Sequence, residues 1–178
     1  MKTKMAGIKQ AILNRKKAEN LMCLVDYEAL AEEHRKQKSG KAAGVDGVVK
    51  KEYDVSLTGN LNNLLSRMKT MSYRPMPVRR TYIPKTNGKM RPLGIPAYED
   101  KLVQGAMAKI LNTVYEAKFL NCSYGFRPGR SCHHVIRFIN QTAMIRKVNY
   151  VLEADIKGFF DNVDDYMVAF VVENEIAK

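Results

Sequence analysis

Apolar residues in this chain recur at helical spacing in some stretches and alternate with polar residues in others. Leu21, Leu24, Val25, Ala29 and Leu30 predict a helix from Leu21 to Arg35, after a shorter helical stretch from Ala11 to Arg15. The polar segment 38–44, with Gly40 and Gly44, breaks that pattern. Leu61, Leu64, Leu65 and Met68 share a stripe that predicts a helix from about Asn60 to Met71. A broader stripe (Leu102, Val103, Ala106, Met107, Ile110, Leu111 and Val114) predicts a third, with Glu99 and Asp100 suiting the dipole of its first turn. Ser131 is placed to cap a helix running to about Ile145.

The alternating stretches predict strands. Val78–Ile83 and Met90–Ile95 flank Asn87-Gly88, a strong hairpin signal, and Pro92 implies an edge or a bulge. With a two-residue turn at Asn87-Gly88, Thr86 pairs with Lys89 and Pro84 with Arg91. Lys89 then shares a face with Arg91, and Lys85 points the other way. Tyr150 to Ile156 reads as a half-buried strand ending at Asp155, with a turn at Gly158 beyond it. Asp164 reads as the cap of a last helix, with Met167, Phe170 and Val171 inward.

Composition narrows the partners. The chain has 178 residues, 46% of them hydrophobic, enough for a folded core and unlike a disordered basic tail. Its formal charge of +12 points to an anionic partner, nucleic acid before an anionic membrane surface. No Asp or Glu occurs between Asp54 and Glu99 or between Glu116 and Glu153, while Lys and Arg recur through both. No run is long enough to span a membrane, and the start lacks a signal-peptide core. Three widely spaced cysteines argue against a disulfide framework and for a reducing interior.

A carboxylate ending a strand beside basic surface suits metal-dependent phosphoryl transfer, with Asp155 as one ligand and the Ile156 carbonyl as another. A strand-end Asp is otherwise a common turn former. Glu153 lies two residues back, roughly 6.6 Å along a strand, too far to chelate the same ion. Arg127 and Arg130, among Tyr124, Phe126, Pro128 and Gly129, suit a template backbone or a stacked base; the alternative is a solvated loop whose aromatics anchor it to the core. Cys122, Cys132, His133 and His134 do not make a zinc site, since adjacent helical histidines diverge by about 100° and no Cys-x-x-Cys spacing exists.

Three ordered strings carry a resemblance: Arg80 to Pro96 (RTYIPKTNGKMRPLGIP), Ser123 to Ser131 (SYGFRPGRS) and Glu153 to Val163 (EADIKGFFDNV). Together they resemble the reverse transcriptases encoded within bacterial group II introns, which also act as splicing maturases. Gly44 to Gly47 (GVDG) and the helix from Asn60 resemble earlier blocks of that family. The likeness covers the chain from about Gly40.

The resemblance implies an α+β fold: the fingers of a right-hand polymerase, with a helical N-terminal extension, a hairpin, and the first strand of a truncated palm. Its expected divisions are 1–58 (extension and first fingers block), 59–150 (fingers, with the hairpin at 78–95) and 151–178 (first palm strand and following helix). It makes Asp155 the first catalytic carboxylate, with Ile156 offering its carbonyl to one of two Mg2+ ions. Backbone N–H groups of Lys157, Gly158 and Phe159 would face a triphosphate, with the Phe159 ring in the core. The Phe160 ring would exclude a ribose 2′-hydroxyl.

Lys85 and Arg91 match the family's triphosphate pair, with Lys89 as a substitute for Lys85. Arg74, Arg79 and Arg80 would contact RNA phosphates, with Arg127 and Arg130 on the template. The expected partners are intron RNA, an RNA template with a DNA primer, and deoxynucleotides, in the bacterial cytoplasm and at the nucleoid when acting on DNA. The family's second carboxylate motif is absent, so the chain alone is expected to bind RNA without polymerising. A non-catalytic splicing module is the alternative, as is a retron, CRISPR-associated or diversity-generating reverse transcriptase. Exposed apolar surface on an incomplete palm also suggests a homodimer.

Overall fold

The computed structural model describes residues 21–86, 88–159 and 162–164. A 3-10 turn, Leu21–Leu24, leads into α1 (Tyr27–Lys36); α2 (Lys50–Val55) and α3 (Leu57–Lys69) follow. A hairpin of β1 (Arg79–Pro84) and β2 (Met90–Ile95) precedes the long α4 (Tyr98–Glu116) and then α5 (Cys132–Ile145). Among the described residues this makes a small α+β fold with one two-stranded antiparallel sheet.

The core forms where the helical stripes meet. Leu102, Ala106, Ile110 and Val114 lie four residues apart on α4, so they share one face, and all are buried. They join Leu24, Val25 and Leu30 from the first segment and Leu61, Leu64 and Met68 from α3 in one cluster. Fully burying side chains of this size stabilises the fold by about 1.5–3 kcal/mol each. Gly105 permits close approach of α1 to α4: a Cβ there would lie 2.6 Å from Glu33 Oε2.

Several expectations change. The helix expected from Leu21 to Arg35 divides at Asp26, whose Oδ1 accepts from the Ala29 amide at 2.9 Å and caps α1. The helix α2 was hidden by its polar sequence; Glu52 turns back to the Val49 amide at 3.0 Å at its start. The loop at 38–44, the α3 stripe and the α4 helix appear as expected; α5 begins after Ser131, whose side chain makes no capping hydrogen bond.

The strand expected at 150–156 is absent: these residues carry no strand assignment, and all are exposed. A strand exists through its ladder, and among the described residues no neighbour takes up the backbone hydrogen bonds of this segment. α5 likewise has no buried residue, leaving Ile136, Phe138, Ile139, Met144 and Ile145 open. The Ala11–Arg15 helix and the helix beyond Asp164 fall outside the described residues.

Candidate nucleotide and nucleic-acid interface

The hairpin register decides which cations meet. Arg79 pairs with Ile95, Ile83 with Arg91 and Pro84 with Met90. The Lys85 amide donates to the Lys89 carbonyl at 2.7 Å, and the Gly88 amide donates back to the Lys85 carbonyl at 3.0 Å. The strands therefore close at Lys85 and Lys89 around a three-residue loop, 86–88, one residue longer than the Asn-Gly signal implies. Gly88 has φ +74°, the left-handed position that ends this class of loop.

One residue of register moves a side chain to the other face. Lys85, Lys89 and Arg91 now lie on the same face, with Arg79, Thr81, Ile83, Leu93 and Ile95. The expected separation of Lys85 from Arg91 is thus corrected. Ile83, Pro84, Lys85, Thr86, Arg91 and Leu93 line an open recess of about 530 Å³ there. Arg80 shares the opposite face with Tyr82, Met90 and Pro92.

The entry to the hairpin and a distant loop are both tied to the first turn of α4. Asp46 Oδ2 accepts from the Tyr98 amide at 2.7 Å, supplying from a distant loop the cap that Ala97 lacks. Asp100, though buried, accepts from the Tyr73 hydroxyl and from the Met76 amide at 3.0 Å. Glu99 accepts from Arg67 and from the Tyr53 hydroxyl at 3.3 Å. Tyr98 meets His34 Nδ1 at 3.0 Å, and His34 Nε2 meets Asp54 at 2.7 Å. Burial, with Asp54 nearby, pushes the Tyr98 hydroxyl up to about 12. Burial pushes Tyr53 and Tyr73 higher still, and their carboxylate partners add to it. Sequence periodicity places Glu99 and Asp100 in this turn but cannot show their partners, which lie 24 to 46 residues away.

The loop between α4 and α5 is held by arginine. Arg127 is buried; its Nε and Nη2 donate to the Glu116 carboxylate, with Nη2 at 2.8 Å from Oε1. Its Nη1 donates to the carbonyls of Leu120 at 2.8 Å and Ser123 at 2.9 Å, and the guanidinium lies 5.1 Å from the Phe119 ring centre. The Glu116 hydrogen bonds raise its pKa further above the ordinary arginine value. These donors of Arg127 shape the loop. Arg130 donates to the Asn121 carbonyl at 2.5 Å and lies 5.0 Å from the Tyr124 ring centre. Arg74 is exposed and donates to the carbonyls of Met71 and Tyr73.

Asp155 and Ile156 are exposed, and Lys157 and Gly158 form a turn in which Gly158 has φ +63°. Asn162, which the sequence reading passed over, closes that turn: Nδ2 donates to the Gly158 carbonyl at 2.7 Å and its amide to the Phe159 carbonyl at 3.1 Å. Phe159, expected in the core, is half exposed, since no described core residue packs over this segment. Phe160 lies outside the described residues. Among the described residues no group of three or more His, Cys, Asp and Glu gathers to hold a metal ion. Asp155 is thus one oxygen donor without, among those residues, a completed donor set.

The reverse transcriptase (RNA-dependent DNA polymerase) family matches residues 83–166, from the hairpin through Asp155. Protein YkfC of Escherichia coli is 39% identical over 163 residues, 88% of this chain and 43% of that protein. The group II intron-encoded protein LtrA of Lactococcus lactis is 42% identical over 127 residues, 71% of this chain and 21% of that protein. Nuclear intron maturase 1 of Arabidopsis thaliana is 35% identical over 69 residues, 39% of this chain and 9% of that protein. The chain thus spans less than half the length of these relatives. It is thus similar to the intron-encoded reverse transcriptases and maturases.

Proposed function

We propose that this chain is the fingers and the start of the palm of a group II intron-encoded reverse transcriptase. The whole protein would add deoxynucleotides to a primer on an RNA template and assist splicing of its own intron RNA. The observation that carries this reading is the register that puts Lys85, Lys89 and Arg91 on one hairpin face around an open recess. A triphosphate presents several anionic oxygens. A forked guanidinium grips two of them in parallel, while the lysines act as point charges beside it. Asp100 holds the entry to the hairpin against α4, and Asp46 caps α4 where the hairpin leads into it, so these cations project from a braced base.

Asp155 and the Ile156 carbonyl would contribute to a divalent-ion site, the remaining ligands coming from outside the described residues. Bound magnesium would neutralise phosphate charge during transfer. The amides of Lys157, Gly158 and Phe159 follow the Gly158 turn, where they suit an anionic ligand, and Phe160 would set the preference for a deoxyribose. Arg74, Arg79, Arg80 and Arg130 supply charge for the RNA backbone, consistent with the +12 balance. No described helix is long and apolar enough to cross a membrane.

Equilibrium binding of a deoxynucleoside triphosphate to the chain, against the unphosphorylated nucleoside, tests the reading. Arg91→Ala should weaken triphosphate binding about tenfold and leave nucleoside binding unchanged, with Arg91→Lys intermediate. Equal binding of triphosphate by wild type and Arg91→Ala would remove the central support. The isolated chain is expected to bind RNA without extending a primer.

A further inference from the structure

Phe126 is the one residue of the 117–131 loop whose exposure and backbone both run against its chemistry. Its ring is fully exposed, at 108% relative accessibility, and its φ is +57°, a region that a residue with a bulky side chain rarely adopts. The loop gains nothing internal from that ring. The neighbours nonetheless hold the position: Arg127 is clamped to Glu116 and to two loop carbonyls, and Arg130 is fastened to Asn121 over Tyr124. An observed backbone outlier maintained by its surroundings points toward function.

The surrounding charge selects the partner. Besides Arg127, which is paired with Glu116, residues 117–152 contain Lys118, Arg130, Arg137, Arg146 and Lys147 and no Asp or Glu. A protein surface would be met by an apolar ring with balanced charge around it; a ring within an all-basic segment suits a polyanion with flat apolar faces. Bases stack on aromatic side chains when unpaired, and this tolerates sequence differences because every base has a π-face.

We propose that Phe126 is a stacking platform for an unpaired base of bound RNA, presented by the Arg127-clamped loop. The inference deepens the nucleic-acid reading above and rests on it. It adds a contact residue and a preference for unpaired over duplex RNA.

The test uses the 178-residue chain and a single-stranded RNA carrying a fluorescent adenine analogue, whose emission is quenched on stacking, beside the same RNA in duplex form. Wild type should bind the single strand more tightly and quench it. Phe126→Leu should lower that affinity about tenfold and abolish quenching, while Phe126→Trp retains both. Phe126→Gly should weaken binding yet unfold at a temperature no lower than wild type, because glycine accepts the positive φ. That variant separates a lost ligand contact from a damaged fold. If Phe126→Leu binds and quenches like wild type, the inference fails while the broader reading stands. Loss of self-association in Phe126→Leu with RNA affinity unchanged would assign the ring to a protein contact and also overturn it. If wild type binds no RNA, both readings fall.

Discussion

Replacing Asp100 by Ala removes the one buried carboxylate that ties the entry to the hairpin to the first turn of α4. Two donors lose their partner, the Met76 amide at 3.0 Å and the Tyr73 hydroxyl. A hydrogen bond to a charged acceptor contributes about 1.5–3 kcal/mol, and an orphaned buried donor costs about 1–3 kcal/mol. Tyr73 is only partly buried, so water can recover part of its loss. The Met76 amide is held by the backbone and has less freedom to find another acceptor. The expected cost of Asp100→Ala is therefore about 2–4 kcal/mol, or roughly 4–16 °C in melting temperature for a chain of this length.

Asp100→Asn keeps one acceptor oxygen for the Met76 amide and leaves Nδ2 facing the Tyr73 hydroxyl, which must then accept; it should cost about 1–2 kcal/mol, less than Asp100→Ala. Urea unfolding with an unchanged slope measures these values, and a cycle with Tyr73→Phe isolates the pair. Hydrogen exchange at the Met76 amide reports the same contact locally and should accelerate in Asp100→Ala. A cost below about 0.5 kcal/mol, with Met76 exchange unchanged, would refute the bracing role.

Three further outcomes follow from the same structure. Gly44→Ala would put a Cβ 2.5 Å from the Pro96 carbonyl oxygen and 2.6 Å from the Ala97 Cα, backbone that cannot rotate aside; it should destabilise by about 1–3 kcal/mol in urea unfolding. Gly59→Ala, in an exposed turn of α3 with nothing within 4 Å, should stabilise by about 0.5–1 kcal/mol in the same assay. The raised hydroxyls of Tyr53, Tyr73 and Tyr98 mean that the native state holds their protons more tightly than the unfolded chain. Their stabilisation is complete below the ordinary value of 10.0 and is lost as pH rises through the folded values, about 12 for Tyr98. Alkaline titration by tyrosinate absorbance should therefore show these three ionising late and together with unfolding; three normal titrations in a folded chain would contradict this.

What the sequence determined by itself was local. Apolar spacing marks α3 and α4 because helix geometry repeats within a few residues, and Asn87-Gly88 marks a hairpin because turn chemistry is confined to the turn. The ordered strings around Arg91, Arg127 and Asp155 were enough to indicate the family before any contact was visible.

The tertiary structure decided the matters that depend on distant partners. A loop one residue longer than the Asn-Gly signal brought Lys85 to the face of Arg91, since pairing register is a property of two strands together. Arg127 became a loop clamp because Glu116 and two carbonyls converge on it, which composition cannot express. The alternating run at 150–156 carries a strand's pattern, yet a pattern becomes a strand only when a neighbour takes up its backbone hydrogen bonds.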